Sequence, residues 1–141
     1  MRMIFLLKFV FWLHANIYRL TGGKLLGQVA GMPVLILYSV GRNTGKRRTT
    51  PLTYLQDGEA YVITASMGGA PNNPGWYHNL KNNPQTIIQI KGETLPVIAE
   101  EASPVDRQRL WAELTDIASI YKEYQQKTSR QIPMIILRPI R

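Results

Sequence analysis

Eight consecutive uncharged residues, Pro33–Val40 (PVLILYSV), are mostly aliphatic or β-branched. Such a run is too short for an independent helix and reads as a strand buried on both faces. It runs into Gly41-Arg42-Asn43-Thr44-Gly45-Lys46-Arg47-Arg48-Thr49-Thr50-Pro51, and a second extended run, Arg48–Leu55, overlaps the end of that segment. Two glycines frame the turn, where they can supply positive φ and bare backbone N–H groups. A buried strand that reverses through a tight loop commits the centre of the chain to antiparallel pairing. Three further signals agree. Asp57-Gly58 is a hairpin turn leading into Ala60–Ser66 (AYVITAS). Gln85–Lys91 alternates as a half-exposed strand, turns at Gly92-Glu93 and returns as Thr94–Glu101. Pro133–Ile140 is the last strand.

Six strands and three helices are expected. Met3–Leu20 reads as a helix ended by Gly22-Gly23, and Gly22–Met32 as a glycine-rich connector. Met67–Gly75 (MGGAPNNPG) is a loop by composition; Asn73 and Pro74 then read as the N-cap and first residue of a short helix reaching Asn82, before Pro84. Ser103-Pro104-Val105-Asp106 opens a longer helix in which Leu110, Trp111, Leu114, Ile117, Tyr121 and Tyr124 recur at helical spacing to about Gln126. Turn-linked strands with few helices favour an α+β fold, a small barrel with helices around it, over a doubly wound sheet. The 141 residues make one domain, with residues 1–22 an N-terminal amphipathic helix.

Charge is unevenly spread. Seventeen Lys and Arg against nine acids give a net +8, and eight of the cations precede Asp57, the first acidic residue. That asymmetry points to an anionic partner: a membrane surface, a nucleic acid or a charged small molecule. The apolar stretch Met3–Leu13 is too short to span a bilayer and is broken by Lys8, which also argues against a secretory leader. A greasy basic helix there can lie in a membrane interface or pack on the domain, and both readings stay open. With no cysteine, disulfides and thiol chemistry are excluded. His14 and His78 are far apart and the acids form no calcium-loop pattern, so no metal is expected.

Three constellations carry chemistry. In the basic loop, Arg42, Lys46, Arg47 and Arg48 stand beside threonine hydroxyls, a set suited to phosphate or clustered carboxylates, or equally to a solvated hairpin. The second is Ser66-Met67-Gly68-Gly69 with Asn73 to Asn79, where two glycines would let backbone approach a ligand and Trp76 could wall a planar ring; a plain connector over a buried Trp76 is the alternative. Tyr121 and Tyr124 share a helix face and could hydrogen-bond a carbonyl substrate, or simply pack. No nucleophilic triad or carboxylate dyad is visible, so an enzyme built this way needs a cofactor.

Gly41-Arg42-x-Thr44-Gly45-x-x-Arg48-Thr49-Thr50-Pro51-Leu52, then Ser66-x-Gly68-Gly69-Ala70, then Asn73-Pro74-x-Trp76-Tyr77-x-Asn79-Leu80-x-x-Asn83-Pro84 resembles the deazaflavin (coenzyme F420)-dependent nitroreductase and F420H2-dependent quinone reductase family. Tyr121-x-x-Tyr124-Gln125, Thr128, Arg130 and Ile132-Pro133 fit its C-terminal pattern, and the resemblance covers roughly residues 20–140. It implies a split β-barrel of the FMN-binding-like kind that binds reduced F420. It assigns the cofactor's phosphate and oligoglutamate tail to Arg42, Asn43, Thr44, Lys46 and Arg48, with Thr49, Thr50, Pro51, Leu52 and Thr53 continuing along the rest of the cofactor. It assigns the deazaflavin ring to Thr64, Ala65, Ser66 and Met67, and to Gly75, Trp76, Tyr77 and Asn79. Tyr121 would face the ring, Tyr124 the substrate, and Ser66, Tyr121 and Tyr124 would be catalytic. Asn43 stands where many relatives have lysine, an expected loosening of the tail's grip. Ala118 stands where some nitroreductive relatives carry an aromatic.

The implied activity is hydride transfer from reduced deazaflavin to a quinone-like, enone or nitro-aromatic acceptor, in the cytoplasm or peripherally on the inner face of the cell membrane through residues 3–20. The other readings are a non-catalytic F420 or lipid carrier of the same fold and a nucleic-acid-binding barrel. The last lacks the interleaved aromatics of a base-stacking surface, so no nucleic-acid partner is expected.

Overall fold

The computed structural model describes residues 9, 10, 12, 13, 16, 28, 29 and 31–140. In chain order these hold β1 (Gln28–Val29), β2 (Met32–Val40), β3 (Arg47–Thr53), β4 (Leu55–Asp57), β5 (Ala60–Thr64) and a 3-10 turn (Met67–Gly69). Then come α1 (Gly75–Asn82), β6 (Gln85–Ile90), β7 (Glu93–Glu101), α2 (Pro104–Ile117), α3 (Ile120–Gln126) and β8 (Met134–Pro139).

Hydrogen-bonded neighbours run β1-β2-β6-β7-β8-β5-β4, with β3 on the free side of β2. Every pair is antiparallel. One stretch changes partners to curl the sheet round. β3 pairs with β2 from Val40↔Arg47 to Val34↔Thr53; beyond Tyr54 the chain resumes as β4 against β5. No ladder joins β3 to β5 among the described residues. The barrel is therefore split along that line, and the split is where the candidate site lies.

Alternation along each strand sorts side chains into two cores. Leu35, Leu37, Ile63, Ile88, Val97, Ile135 and Leu137 fill the barrel interior, closed at one end by Trp76 and Leu80 of α1. Val62, Met134 and Ile136 face outward onto Leu110 and Leu114 of α2 and Tyr121 of α3. Leu110 and Leu114 lie one turn apart and are fully buried; each contributes about 1.5–3 kcal/mol to that docking. Val34, Ile36 and Tyr38, on the other face of β2, form a third buried group. β2 is thus buried on both faces, as its unbroken apolar run predicts.

Five predicted strands appear as β2, β5, β6, β7 and β8 with ends moved by one or two residues. The sixth, Arg48–Leu55, is two strands, because Tyr54 breaks the ladder and its N–H bonds instead to Pro33 O at 3.0 Å. Within the predicted Gly22–Met32 connector, β1 pairs with the start of β2 across Gly31 (φ +76). The short helix spans Gly75–Asn82 as expected, but Pro74, not Asn73, is its N-cap. Asn73 is occupied elsewhere, its Oδ1 accepting from Arg130 Nη1 at 2.7 Å. The long helix predicted to about Gln126 is two helices. Ser103 caps the first through Asp106 N–H at 3.2 Å, as expected. Ala118 then turns extended (φ −136, ψ 91) before α3 begins. Neither glycine nor proline marks that break, and the apolar spacing runs across it.

The predicted Met3–Leu20 helix lies mostly outside the described residues; Phe9, Val10, Trp12, Leu13 and Asn16 are helical. No helix of the described residues is long and apolar enough to cross a membrane.

Candidate active site

A cleft of about 1210 Å³ opens along the split. The loop between β2 and β3 forms one end. Gly41 N–H donates to Lys46 O and Gly45 N–H to Gly41 O, each at 2.7 Å, which closes the loop on itself. Glycine at position 41 leaves room for the loop to close, since a Cβ there would lie 2.7 Å from Thr44 Oγ1 and 3.3 Å from Lys46 O and would push the threonine aside. The loop is also tied across the cleft. The Arg42 backbone N–H and Nη1 both donate to Asn79 Oδ1 at 3.1 Å, and Nη1 reaches Gly75 O at 3.4 Å. Asn79 in turn donates to Ser39 Oγ at 3.4 Å. Arg47 stacks on Tyr38, 4.0 Å from the ring centroid, and Arg48 stands beside it; residues 42–48 are all exposed.

The floor is β3. Thr49, Thr50, Pro51, Leu52 and Thr53 run along it, and Thr53 Oγ1 shares a 2.7 Å hydrogen bond with the Tyr121 hydroxyl. That phenol is largely buried, and burial pushes its pKa above the ordinary value, against the lowering effect of the Thr53 bond. Tyr124 packs edge-on against Tyr121, with ring centroids 5.5 Å apart, and its hydroxyl makes no hydrogen bond among the described residues. A half-exposed, unengaged phenol beside a buried, engaged one gives the site one donor held in place and one free to meet a ligand.

The far wall is the turn after β5. Met67 (φ +45), Gly68 (φ +65) and Gly69 (φ +86) are successive left-handed residues. The two glycines do different things. Gly68 has open space around it and lines the cleft. Gly69 is pressed against α3, where a Cβ would lie 2.5 Å from Tyr124 O and 2.9 Å from Lys127 Cβ. The expectation that both glycines let backbone approach a ligand is thus corrected for Gly69, whose bareness seats Tyr124. Trp76 is 8% exposed, with its body in the barrel core and one face on the cleft.

Arg42, Asn43, Thr44 and Arg48, residues 49–53, Thr64, Ser66, Met67, Gly75, Trp76, Asn79, Tyr121 and Tyr124 all border this one cavity. Three predicted residues do not. Ala65 is fully buried in the barrel core, as the alternation along β5 requires. Tyr77, one residue from Trp76 on α1, faces away and donates to Glu101. Lys46 gives the loop its backbone carbonyl while its side chain stands off the cleft. Gly68 and Arg47 border it as their constellations predict; Ser39, Gly41 and Pro74, and Trp12 and Asn16 from the N-terminal helical residues, border it too, without having been assigned a ligand role from sequence. Arg47 was within the recognised cation cluster; nothing local in the sequence marks Trp12.

Among the described residues no carboxylate borders the cavity, while Arg42, Arg47 and Arg48 do. No group of His, Cys, Asp and Glu suited to a metal occurs among the described residues. One end is therefore cationic and rich in hydroxyls; the other is walled by tryptophan, two tyrosines and leucine. That gradient fits a ligand with a planar ring at one end and an anionic tail at the other.

Fold and cavity together define a split-barrel protein built to hold a flavin-like group. The chain is 34% identical to a solved F420H2-dependent reductase, with a TM-score of 0.69 over 75% of this chain and 94% of that one. A second solved chain, described as a domain-swapped dimer, is also 34% identical, with a TM-score of 0.69 over 75% and 80% of the two chains. An F420H(2)-dependent quinone reductase of Mycobacterium tuberculosis (strain ATCC 25618 / H37Rv) is 44% identical over 129 residues, 89% of this chain and 87% of its own length. The F420H(2)-dependent quinone reductase family matches residues 10–139. The chain belongs to that family: it is an oxidoreductase, and coenzyme F420 is its cofactor.

Proposed function

We propose that the physiological acceptor is a quinone, and that enones and nitro-aromatics of similar shape enter the same place. The observation that carries this reading is that one cavity joins the cationic loop to the Tyr121–Tyr124 pair and Ser66. Arg42, Arg47 and Arg48 would hold the cofactor's anionic tail, with Thr44, Thr49 and Thr50 supplying hydroxyl donors. Trp76, Leu52, Pro51 and Met67 would sandwich the ring. When bound in its reduced form, the cofactor supplies a hydride. The chain supplies placement, which is worth many orders of magnitude in rate, and donors for the oxygen on which charge develops. Tyr124 is the favoured donor, since its hydroxyl has no partner among the described residues whereas that of Tyr121 is engaged by Thr53. Ser66, buried yet bordering the cavity, is the second. A well-placed donor of this kind lowers a barrier by about 2–4 kcal/mol.

Ala118 is buried at the α2–α3 junction, so that position brings no third aromatic to the cavity. Titration with F420 and FMN, followed by single-turnover oxidation of bound F420H2 by menadione, tests the reading. Tight F420 binding with slow oxidation by every quinone would instead favour a carrier.

Peripheral membrane contact is a second proposal, supported by the 42–60% exposure of Phe9, Val10, Trp12 and Leu13. Co-sedimentation of the full chain with anionic liposomes, lost on deleting residues 1–20, is the expected result. A full-length chain that stays in the supernatant removes it.

A further inference from the structure

Arg130 lies behind the cavity wall, and every donor of its guanidinium that is engaged goes to a neutral acceptor. Nε donates to Ala70 O at 2.9 Å, Nη1 to Ala65 O at 3.0 Å and Asn73 Oδ1 at 2.7 Å, and Nη2 to Ser66 O at 2.9 Å. No carboxylate pairs with it among the described residues. Its own backbone is held in turn: Gln125 Nε2 donates to Arg130 O at 2.7 Å, and Thr128 Oγ1 accepts from Arg130 N–H at 3.3 Å. A guanidinium partly withdrawn from water and left unneutralised keeps its field, and here the field acts through the peptides it grips.

Those peptides are trans, so each N–H points opposite to its carbonyl. Ala65 O and Ser66 O are turned onto Arg130. The Ser66 and Met67 N–H groups are therefore turned the other way, to the side on which both residues border the cavity. No backbone carbonyl takes either N–H among the described residues. Ser66 is in the right-handed region (φ −78, ψ −42) and Met67 has φ +45, the sequence of conformations that gathers successive N–H groups into an anion-accepting concavity. The Ser66 hydroxyl, on a residue only 9% exposed, borders the same cavity without a partner among the described residues.

We infer that Arg130 is a positioning residue. It holds the carbonyls of the Ser66 turn away from the cavity, so that two polarised N–H groups and the Ser66 hydroxyl face a negatively charged oxygen or nitrogen at the edge of a planar ring. A hydrogen bond accepted by a peptide carbonyl strengthens the donor at the other end of that peptide, so a cation on the carbonyls makes the N–H groups better hosts for charge. The inference rests on the reading of this cavity as a deazaflavin site, and the charged edge belongs either to the cofactor ring or to the acceptor as it is reduced.

The test is Arg130→Met in the full chain, read three ways. Without cofactor, the Ser66 and Met67 amide resonances of 15N-labelled protein should shift. Affinity for F420 and for a deazaflavin lacking the tail should fall alike, by about tenfold, if the charged edge is on the cofactor. Unchanged affinity with a lower turnover number for menadione, at unchanged KM, would place it on the acceptor. A folded variant with wild-type affinity, turnover and amide resonances overturns the inference. If Arg130→Met does not fold, Arg130→Lys decides. One ammonium cannot hold four acceptors, so loss of ring affinity or of menadione turnover with retained thermal stability supports the inference, and wild-type affinity and turnover despite displaced amide resonances overturn it. Should the wild-type protein bind no deazaflavin, the cofactor site itself is misplaced, and the amide resonances alone judge whether Arg130 sets the turn.

Discussion

The two ends of the cavity use arginine differently. At the loop end, Arg42, Arg47 and Arg48 are all exposed; Arg42 Nη1 reaches Asn79 Oδ1 and Gly75 O, while Arg47 and Arg48 make no side-chain hydrogen bond among the described residues. At the ring end, Arg130 is half-buried and spends its donors on the backbone. Exposed cations attract a charged group from a distance and tolerate loose geometry, but salt screens them. A cation gripping carbonyls is screened little and sets backbone direction. One end is suited to capture and the other to alignment.

The largest effect that would sharpen this contrast comes from packing. Gly69→Ala places a methyl 2.5 Å from Tyr124 O at φ +86. It should destabilise the protein by about 2–4 kcal/mol and displace α3. Gly45→Ala in the loop, at φ +69 with open space around it, should cost only about 1–2 kcal/mol. Urea unfolding of both variants measures the difference; equal losses would mean that the ring end is no more rigidly built than the loop.

Next is capture. Arg48→Glu should weaken F420 binding about tenfold at low salt, and less at high salt, while turnover at saturation changes little. Fluorescence titration across a salt series reads this. Salt-independent binding would remove the loop from the tail.

A smaller effect separates a phenol in the cavity from one outside it. Burial, then Glu101, pushes Tyr77 from its ordinary 10 up to about 12, and Tyr121 is also raised. A raised phenol keeps its proton in the folded chain after the unfolded chain has lost it. Its stabilisation is therefore complete below pH 10 and is lost as pH rises from there towards the folded value. Thermal melts should decline over that window, less steeply in Tyr77→Phe and in Tyr121→Phe. Only Tyr121→Phe should also alter single-turnover hydride transfer. The smallest effect is Lys46→Gln, which should change F420 affinity less than about twofold, because an exposed charge off the cavity wall acts only through solvent.

Much of this was legible before any coordinates. Short runs bounded by Gly, Asn and Asp located the strands, since strand alternation and turn chemistry are local. The family resemblance named most of the cavity, because its residues fall in contiguous motifs at strand ends. What escaped was set by contacts distant in sequence. Tyr77 stands in the same motif as Trp76, yet the turn of α1 sends it to Glu101. Ala65 shares a segment with Ser66 but takes the inward side of it. Arg130 fitted a pattern, but its partners are 57 to 65 residues away. The break at Ala118 required only an extended backbone, which any residue adopts.

The split between β3 and β5 has a further consequence. Among the described residues β3 pairs with β2 alone, so its other side is a sheet edge whose amide and carbonyl groups meet no strand there. Such an edge invites another chain to add as a strand, and proteins usually blunt it with proline, bulges or charge. Here Pro51 sits in mid-strand, where its missing N–H is tolerable on the unpaired side, and Arg47 and Arg48 begin the strand. We propose that the cofactor, which in this reading continues along residues 49–53, covers the remainder. Protein stripped of F420 should then aggregate sooner on storage than loaded protein, so the cofactor would act as a chaperone for its own apoenzyme.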